Sequence, residues 1–358
     1  MPSEVRLVAY TNAEAVGGAE HCLRTILAGL PTLFRITIVA TDAAVAQDVA
    51  QGRRAVQIEL VQQAGQFWDP RAVATHARLL RRLDPDLCVI NLQTPYSGLH
   101  ATLAALLVPR CRIVTIEHLP LPSLSRAAHV VKRMTSRRLA AQIAVSAHTA
   151  EAIAAEARLP RERIQVIRNG VSEPAAGMIE LGLSRPIVGG MGRLDRQKGF
   201  DVLIDALALL PGVSAVIAGD GSERDALLRH ARDRSVADRF AIVPWTTEIG
   251  PFLRSLDAFV LPSRYEGLPL ALLEAMATGA AVVASHVGAV AEAMVSGESG
   301  VLVPCDDAPA LAAAIRRLLD DEQERTQFGA QAQQEWRSHF TAERMQRDYS
   351  DLFSGLVR

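Results

Sequence analysis

Residues 258–285, AFVLPSRYEGLPLALLEAMATGAAVVAS, read as strand, turn, helix and strand in immediate succession. AFVLPS and AVVAS are short apolar runs, and the leucine- and alanine-rich stretch between them has the length of a helix. A strand–helix–strand unit of this kind belongs to a parallel sheet covered by helices. Two acids, Glu266 and Glu274, sit among these apolar residues, and burying a charge without a partner is costly. They call for a partner or a ligand.

Working outward, the same alternation runs along the chain. VRLVAY (5–10), RITIVAT (35–41), AVQIEL (55–60), LCVINL (87–92), RIVTIEH (112–118), QIAVS (142–146) and IQVIRNG (164–170) read as strands separated by helical patterns. SEPAAGMIELGLSRP (172–186) breaks the rhythm. The alternation then restarts with PIVGGMG, SAVIAGDG, FAIVPW, AFVLPS, AVVAS and GVLVP. The predicted architecture is two doubly wound α/β domains, with strand ends facing a cleft. The boundaries expected are a first domain over 1–171, a linker over 172–185 and a second domain over 186–335. A helical segment over 336–358 is expected to pack back on the first domain. In open α/β sheets ligands bind beyond the carboxyl ends of the strands, so function is sought there.

Composition narrows the classes of function. A chain of 358 residues with 49% apolar residues can build two cores, and a net charge of −1 with 4% aromatics argues against a nucleic-acid partner. Cys22, Cys88, Cys111 and Cys305 are scattered without a C-x-x-C pair, which reads as reduced thiols and no zinc site. The N-terminus enters a strand pattern directly, and no apolar run approaches the roughly 20 residues needed to span a bilayer. The expected location is the cytoplasm. Of 38 basic residues only Lys132 and Lys198 are lysines, so each invites a local reason.

Two further stretches carry chemistry. GGMGRLDRQKGFDVLIDAL (189–207) lacks the G-x-G-x-x-G dinucleotide fingerprint, but sets Arg193 and Lys198 at a strand-to-helix turn beside Gly199. A planar fork, a compact point charge and unpaired helix amides together suit a diphosphate, against the plainer reading of two solvated cations. Pro269 fits the first turn of its helix, where a missing N–H costs nothing, and leaves the amides of Leu268 and Leu270 to face an anion. SRAAHVVKRMTSRRLA (125–140) carries Arg126, Lys132, Arg133, Arg137 and Arg138 around one helix. Such a helix either docks on anionic lipid or presents a solvated face, and the sequence leaves both open.

SRYEGLPLALLEAMATGAAVVAS, with its E-x7-E spacing, resembles the donor-site motif of the retaining family-four glycosyltransferases of the GT-B fold. GGAE (17–20), SAHTAEAI, VIRNGV, GRLDRQKGFDVLIDAL, IAGDGSERDAL and ESGVLVP follow in the family's order, so the resemblance covers nearly the whole chain. It implies a nucleotide-diphosphate sugar as co-substrate and a glycan, lipid-linked or small-molecule acceptor. Glu274 would hold the ribose hydroxyls and Glu266 those of the transferred sugar. Arg193 and Lys198 would grip the diphosphate and stabilise the leaving phosphate. Gly17, Gly18 and the backbone of Gly267, Leu268, Pro269 and Leu270 would add N–H donors. His118 matches a histidine near the sugar, although Leu119 follows it where the family more often has aspartate. EGLPL departs from the commoner Glu-Gly-Phe-Gly form, and Trp245 replaces a usual glycine, where it would stack on the base or simply pack.

Preorganised cations and helix N-termini lower the barrier to departure of a nucleoside diphosphate, so no metal or other cofactor is expected. With both acids assigned to hydroxyls no nucleophile remains for a double displacement. The resemblance then implies retention by same-face attack. Two competing readings are a nucleotide-sugar epimerase of the same fold and a non-catalytic partner subunit.

Overall fold

The computed structural model describes residues 4–63, 69–121 and 125–358. The chain divides into two compact units, residues 1–169 with 342–358, and residues 170–341. The stretch 172–185, read as a linker, falls inside the second unit. There Ser255 Oγ donates to the Ile179 carbonyl and accepts from its N–H, both at 2.8 Å. The division expected at residue 336 falls at 342 instead.

In the first unit the strands are β1 (Val5–Thr11), β2 (Phe34–Ala40), β3 (Gln57–Leu60), β4 (Leu87–Leu92), β5 (Arg112–Glu117), β6 (Ala141–Ala144) and β7 (Ile164–Val166). They form a parallel sheet in the order β3-β2-β1-β4-β5-β6-β7. Its helices are α1 (Gly18–Gly29), α2 (Ala43–Ala50), α3 (Pro70–Leu83), α4 (Leu99–Ala105), α5 (Arg126–Ser136) and α6 (Ala147–Ala157). The central strands read as continuous apolar runs because helices cover both faces; every residue of β4 is buried. Cys88 of β4 lies opposite both Val8 of β1 and Ile113 of β5. Helix ends follow local chemistry. Asp69 accepts from the N–H groups of Arg71 and Ala72 at the start of α3, and Pro70 supplies the first helical residue without wasting a donor.

In the second unit the strands are β8 (Ile187–Met191), β9 (Ser214–Ala218), β10 (Phe240–Val243), β11 (Ala258–Leu261), β12 (Val282–Ser285) and β13 (Val301–Val303). Their order is β10-β9-β8-β11-β12-β13, again parallel. The helices are α7 (Phe200–Ala208), α8 (Arg224–Asp233), α9 (Ile249–Arg254), α10 (Leu270–Thr278), α11 (Val290–Ala293), α12 (Ala308–Asp320) and α13 (Glu322–His339). Val188, Leu203, Ile217, Val260, Val283 and Ile315 anchor a core in which each buried aliphatic side chain contributes about 2 kcal/mol. Helix α13 packs on α10, with Gln333 Nε2 donating to the Ala277 carbonyl at 2.9 Å. The last helix, α14 (Ala342–Val357), packs on α1 of the first unit, burying Tyr349 and Phe353.

Candidate active site

In the second unit the predicted donor-site residues gather at the carboxyl edge of the sheet. β8 runs into Gly192–Lys198, whose last three residues form a single 3-10 turn leading to Gly199 and α7. β11 runs into 262–269 and then α10. Two glycines let neighbouring turns close on 262–269, Gly199 from the first of these turns and Gly288 from the turn after β12. Gly199 has φ +63°, and a Cβ there would stand 2.0 Å from the Pro262 carbonyl oxygen; Gly288, with φ +53°, would place one 1.9 Å from that of Glu266. Neither position has room for a side chain.

Lys198 and Glu266 meet at this junction. Lys198 Nζ lies 2.6 Å from Glu266 Oε1, with the two side chains 14% and 6% exposed. Ser263 Oγ donates to the same oxygen at 2.8 Å, and Gln197 Nε2 reaches Oε2 at 3.5 Å and the Tyr265 carbonyl at 3.0 Å. The carboxylate is thus balanced in charge and held by hydrogen bonds, as a buried acid must be. Arg264 ties the two turns from behind. Its backbone N–H donates to the Gln197 carbonyl at 2.7 Å, and its guanidinium grips both Asp201 oxygens at 2.9 and 2.7 Å. It also pairs with Asp306 at 2.7 Å. Burial pushes the Asp201 carboxyl up, but the Arg264 hydrogen bond and charge outweigh it and leave the group below its usual range.

The remaining donor-site expectations fare differently. Arg193 is exposed, pairs with Asp195 at 3.2 Å and donates to Gln197 Oε1 at 3.3 Å. Glu274 lies just past the first turn of α10 and is half-buried, not enclosed among leucines. Pro269 is the N-cap of α10, one place before the first-turn position read from the sequence. Leu268 is buried and has a partner of its own. Gly267 is buried and its carbonyl accepts from Ala289 N–H at 3.1 Å, while Leu270 opens the helix half-buried. Trp245 follows edge strand β10 and is nearly half exposed. Two strands separate β10 from β11, so three spacings of about 4.8 Å put some 14 Å between the two strand ends.

In the first unit His118 follows β5, buried, with its Nε2 2.8 Å from Asn91 Oδ1. Burial pushes the imidazole down to about 3. Asn91 Nδ2 donates to the Ala19 carbonyl at 3.2 Å and lies 3.5 Å from Glu20 Oε1. Glu20, fully buried on α1, also accepts from Thr11 Oγ1 at 3.1 Å, Gln93 Nε2 at 3.2 Å and Gly17 N–H at 3.2 Å. Burial raises its carboxyl despite these bonds. The Gly17 N–H expected to serve a ligand is therefore taken by Glu20, while Gly18 is exposed at the first position of α1. The residue before His118, Glu117, is fully buried and pairs with Lys132 Nζ at 2.5 Å. Lys132 is thus not part of the exposed basic face of α5 to which the sequence assigned it.

Sequence reading missed five residues that organise these clusters: Gln197, Ser263, Arg264, Glu20 and Asn91. One of them carried a signal. An amide in the apolar strand LCVINL must find buried partners.

Comparison with known proteins gives this geometry a family. Residues 16–173 match the model described as Glycosyltransferase Family 4, and 179–335 match Glycosyl transferases group 1. The chain belongs to the family-4 type of glycosyltransferases. The lipopolysaccharide core biosynthesis glycosyltransferase LpsE of Rhizobium meliloti is 36% identical over 169 residues, 47% of this chain and 50% of that protein. A glycogen synthase of Mycobacterium tuberculosis is 37% identical over 210 residues, 56% of this chain and 50% of that one. The chain spans about half the length of these curated relatives. Among solved structures, Anabaena HepE in complex with UDP superposes with a TM-score of 0.85 at 23% identity, covering 98% of this chain and 100% of that one. Sucrose-phosphate synthase from Thermosynechococcus elongatus gives 0.81 at 19%, covering 98% and 99%. The architecture of this chain is accordingly GT-B, two parallel-sheet α/β units with C-terminal helices.

Proposed function

We propose that this glycosyltransferase moves a sugar from a UDP- or GDP-sugar to a hydroxyl of a glycan, lipid-linked or small-molecule acceptor, with retention at the transferred carbon. The observation that carries the reading is the Lys198–Glu266 pair, with Arg193 beside it, at the carboxyl edge where β8 and β11 end. A departing nucleoside diphosphate gathers negative charge, and two cations fixed before the reaction stabilise it without reorganising. These cations supply the electrostatic help that a metal would otherwise give, so the reaction is proposed to need none. Glu266, already bonded to Lys198 and Ser263, offers its remaining lone pairs to hydroxyls of the transferred sugar. The ribose hydroxyls fall to Glu274, and the base to Trp245, some way along the sheet edge. With Glu266 so engaged no carboxylate is placed as a nucleophile, which favours attack by the acceptor on the face the phosphate leaves. Support comes also from relatives named as glycosyltransferases, and from HepE, solved with UDP and with UDP-glucose.

The acceptor side includes a membrane contact in this proposal, which puts the protein in the cytoplasm and peripherally at the membrane's cytoplasmic face. Helix α5 exposes Val130 at 57% and Met134 at 64% beside Arg126, Arg133 and Arg137, and no acid occurs between Glu117 and Glu151. Apolar side chains flanked by arginines suit the boundary of an anionic leaflet.

A thermal-shift panel of nucleotides and nucleotide-sugars tests the donor reading, because a ligand at 100 times its Kd stabilises the fold by about 2.7 kcal/mol. One nucleotide-sugar and its nucleoside diphosphate are expected to raise the Tm. No shift with any member overturns the donor site. An epimerised nucleotide-sugar formed from donor alone would replace transfer by epimerisation.

A further inference from the structure

Gln197, buried in the 3-10 turn before Gly199, reaches both halves of the proposed donor site. Its main chain is clipped to the turn after β11, where Arg264 N–H donates to its carbonyl at 2.7 Å. Its side-chain Nε2 lies 3.0 Å from the Tyr265 carbonyl oxygen, an atom that can only accept, and 3.5 Å from Glu266 Oε2. That carbonyl fixes which end of the amide is nitrogen, so Oε1 is the atom facing Arg193 Nη2 at 3.3 Å. The same Nη2 lies 3.2 Å from Asp195 Oδ2. With Nη2 engaged twice, the N–H groups of Nε and Nη1 have no partner among the described residues and are left to meet an anion. Glu266 is divided in the same way. Its Oε1 takes Lys198 and Ser263, while Oε2 meets only Gln197 among the described residues.

We propose that Gln197 is a positioning residue that ties Arg193 to Glu266, so that the phosphate-binding fork and Glu266 Oε2 are set at one spacing before the donor arrives. The proposal rests on the reading that Arg193 meets the diphosphate and Glu266 the transferred sugar. All of these groups belong to the second unit. Because the Gln197 amide is held by the turn that carries Glu266, the place of Oε1, and with it that of Arg193, follows that turn. A ligand whose sugar is joined directly to a diphosphate then engages both groups at once, and neither has to reorganise. A nucleoside diphosphate without the sugar engages only the first. The preference of the site for the intact donor over its own leaving group is therefore assigned to Gln197.

Labelling of the ligand-free, full-length protein with phenylglyoxal, read residue by residue by peptide mass spectrometry, tests the hold on Arg193. Arg196 of the same turn is exposed and its side chain has no partner among the described residues, so it is the internal reference. Arg193 is expected to react several-fold more slowly than Arg196 in the wild type, and Gln197→Met is expected to narrow the difference. Equal rates in the wild type, or a difference that Gln197→Met leaves unchanged, overturns the proposal. Titration calorimetry with UDP, GDP, UDP-glucose and GDP-mannose gives the second arm. Gln197→Met is expected to weaken the nucleoside diphosphate about 5-fold, and to add no further loss in an Arg193→Gln background. It is also expected to shrink the advantage of the nucleotide-sugar over that nucleoside diphosphate, again with no added effect in a Glu266→Gln background. A residue that only supports the fold gives additive losses in both backgrounds, and that result overturns the proposal. If none of the four ligands binds the wild type, the donor reading is what fails, and the labelling still decides whether Gln197 holds Arg193.

Discussion

The two lysines of this chain occupy matching devices in different units. Lys132 reaches Glu117 at 2.5 Å in the first unit, and Lys198 reaches Glu266 at 2.6 Å in the second. Each carboxylate takes a further bond from a neutral side chain, Gln142 at 2.6 Å for Glu117 and Ser263 at 2.8 Å for Glu266. They differ in access. The first pair is 7% and 0% exposed and the second 14% and 6%. The second stands where the turns after β8 and β11 meet, while the first, although Glu117 is the last residue of β5, is enclosed by Lys132 of α5 and Gln142 of β6. A buried lysine in an arginine-rich chain marks a place where a compact cation is wanted, but both pairs stand at carboxyl strand ends, so whether one acts on a ligand depends on its access.

Substitution should separate the two pairs most strongly. Lys198→Ala and Glu266→Ala are each expected to lower turnover about 10²-fold or more, as interactions made mainly in the transition state. Lys132→Ala is expected to cost about 3 kcal/mol or more of stability by leaving Glu117 charged and unpaired. Turnover per folded molecule stays near normal in that variant. The checks are steady-state rates with the donor found by thermal shift, set beside denaturant midpoints. Near-normal rates in both second-unit variants would remove the assignment of the pair to catalysis. A Lys132→Ala protein that folds normally but does not turn over would make the two pairs functionally alike.

The contrast also explains what was legible in the sequence. Parallel strands covered on both faces are apolar throughout, so LCVINL and AFVLPS could be read as strands from composition alone, and β4 matches its run residue for residue. Strand ends point to function in any open α/β sheet, which is how Lys198 and Glu266 were found separately. Their contact with each other was hidden, since it spans 68 positions and depends on Gly199 letting the two turns touch. Lys132 was misread for a related reason. Helical spacing says which residues share a face, but not which face turns inward, and the deciding partner, Glu117, lies on another element. Glu20 was passed over inside GGAE because a helix-start glutamate is ordinarily a solvated cap. Here three side chains and one backbone N–H converge on it instead.

Helix α5 sharpens the comparison, since it turns Lys132 inward and its arginines outward. Flotation with phosphatidylglycerol vesicles is expected to carry the wild type upward and to leave Arg133/Arg137/Arg138→Ser behind, in low salt more than in high. Each basic residue near such a surface contributes about 1 kcal/mol, so losing three lowers partitioning by about two orders of magnitude. Equal absence of binding in both proteins would leave α5 as a solvated face, with Lys132 its one inward cation among the described residues.

The smallest effect expected is a difference in acid sensitivity between the units. Burial lowers the imidazoles of His21, His76 and His118, all in the first unit, with His118 at about 3. A depressed histidine binds its proton more readily in the unfolded chain, so its contribution to stability is complete above the ordinary value of 6.5 and is lost as pH falls below it. Glu20 works the other way. Its carboxyl is raised, so the folded state holds the proton more tightly and stability falls as pH rises above 4.5. Three histidines against one glutamate leave acid as the net destabiliser of this unit between pH 6.5 and 4.5. In the second unit Asp201 is lowered from 3.8, so its contribution begins to fade only below that value. Hydrogen exchange at pH 7 and pH 4.5 should therefore show β4 and β5 losing protection while β8 and β11 keep theirs, and His118→Gln should shrink the difference. Equal loss in both sheets would mean that the buried imidazoles do not govern the acid response.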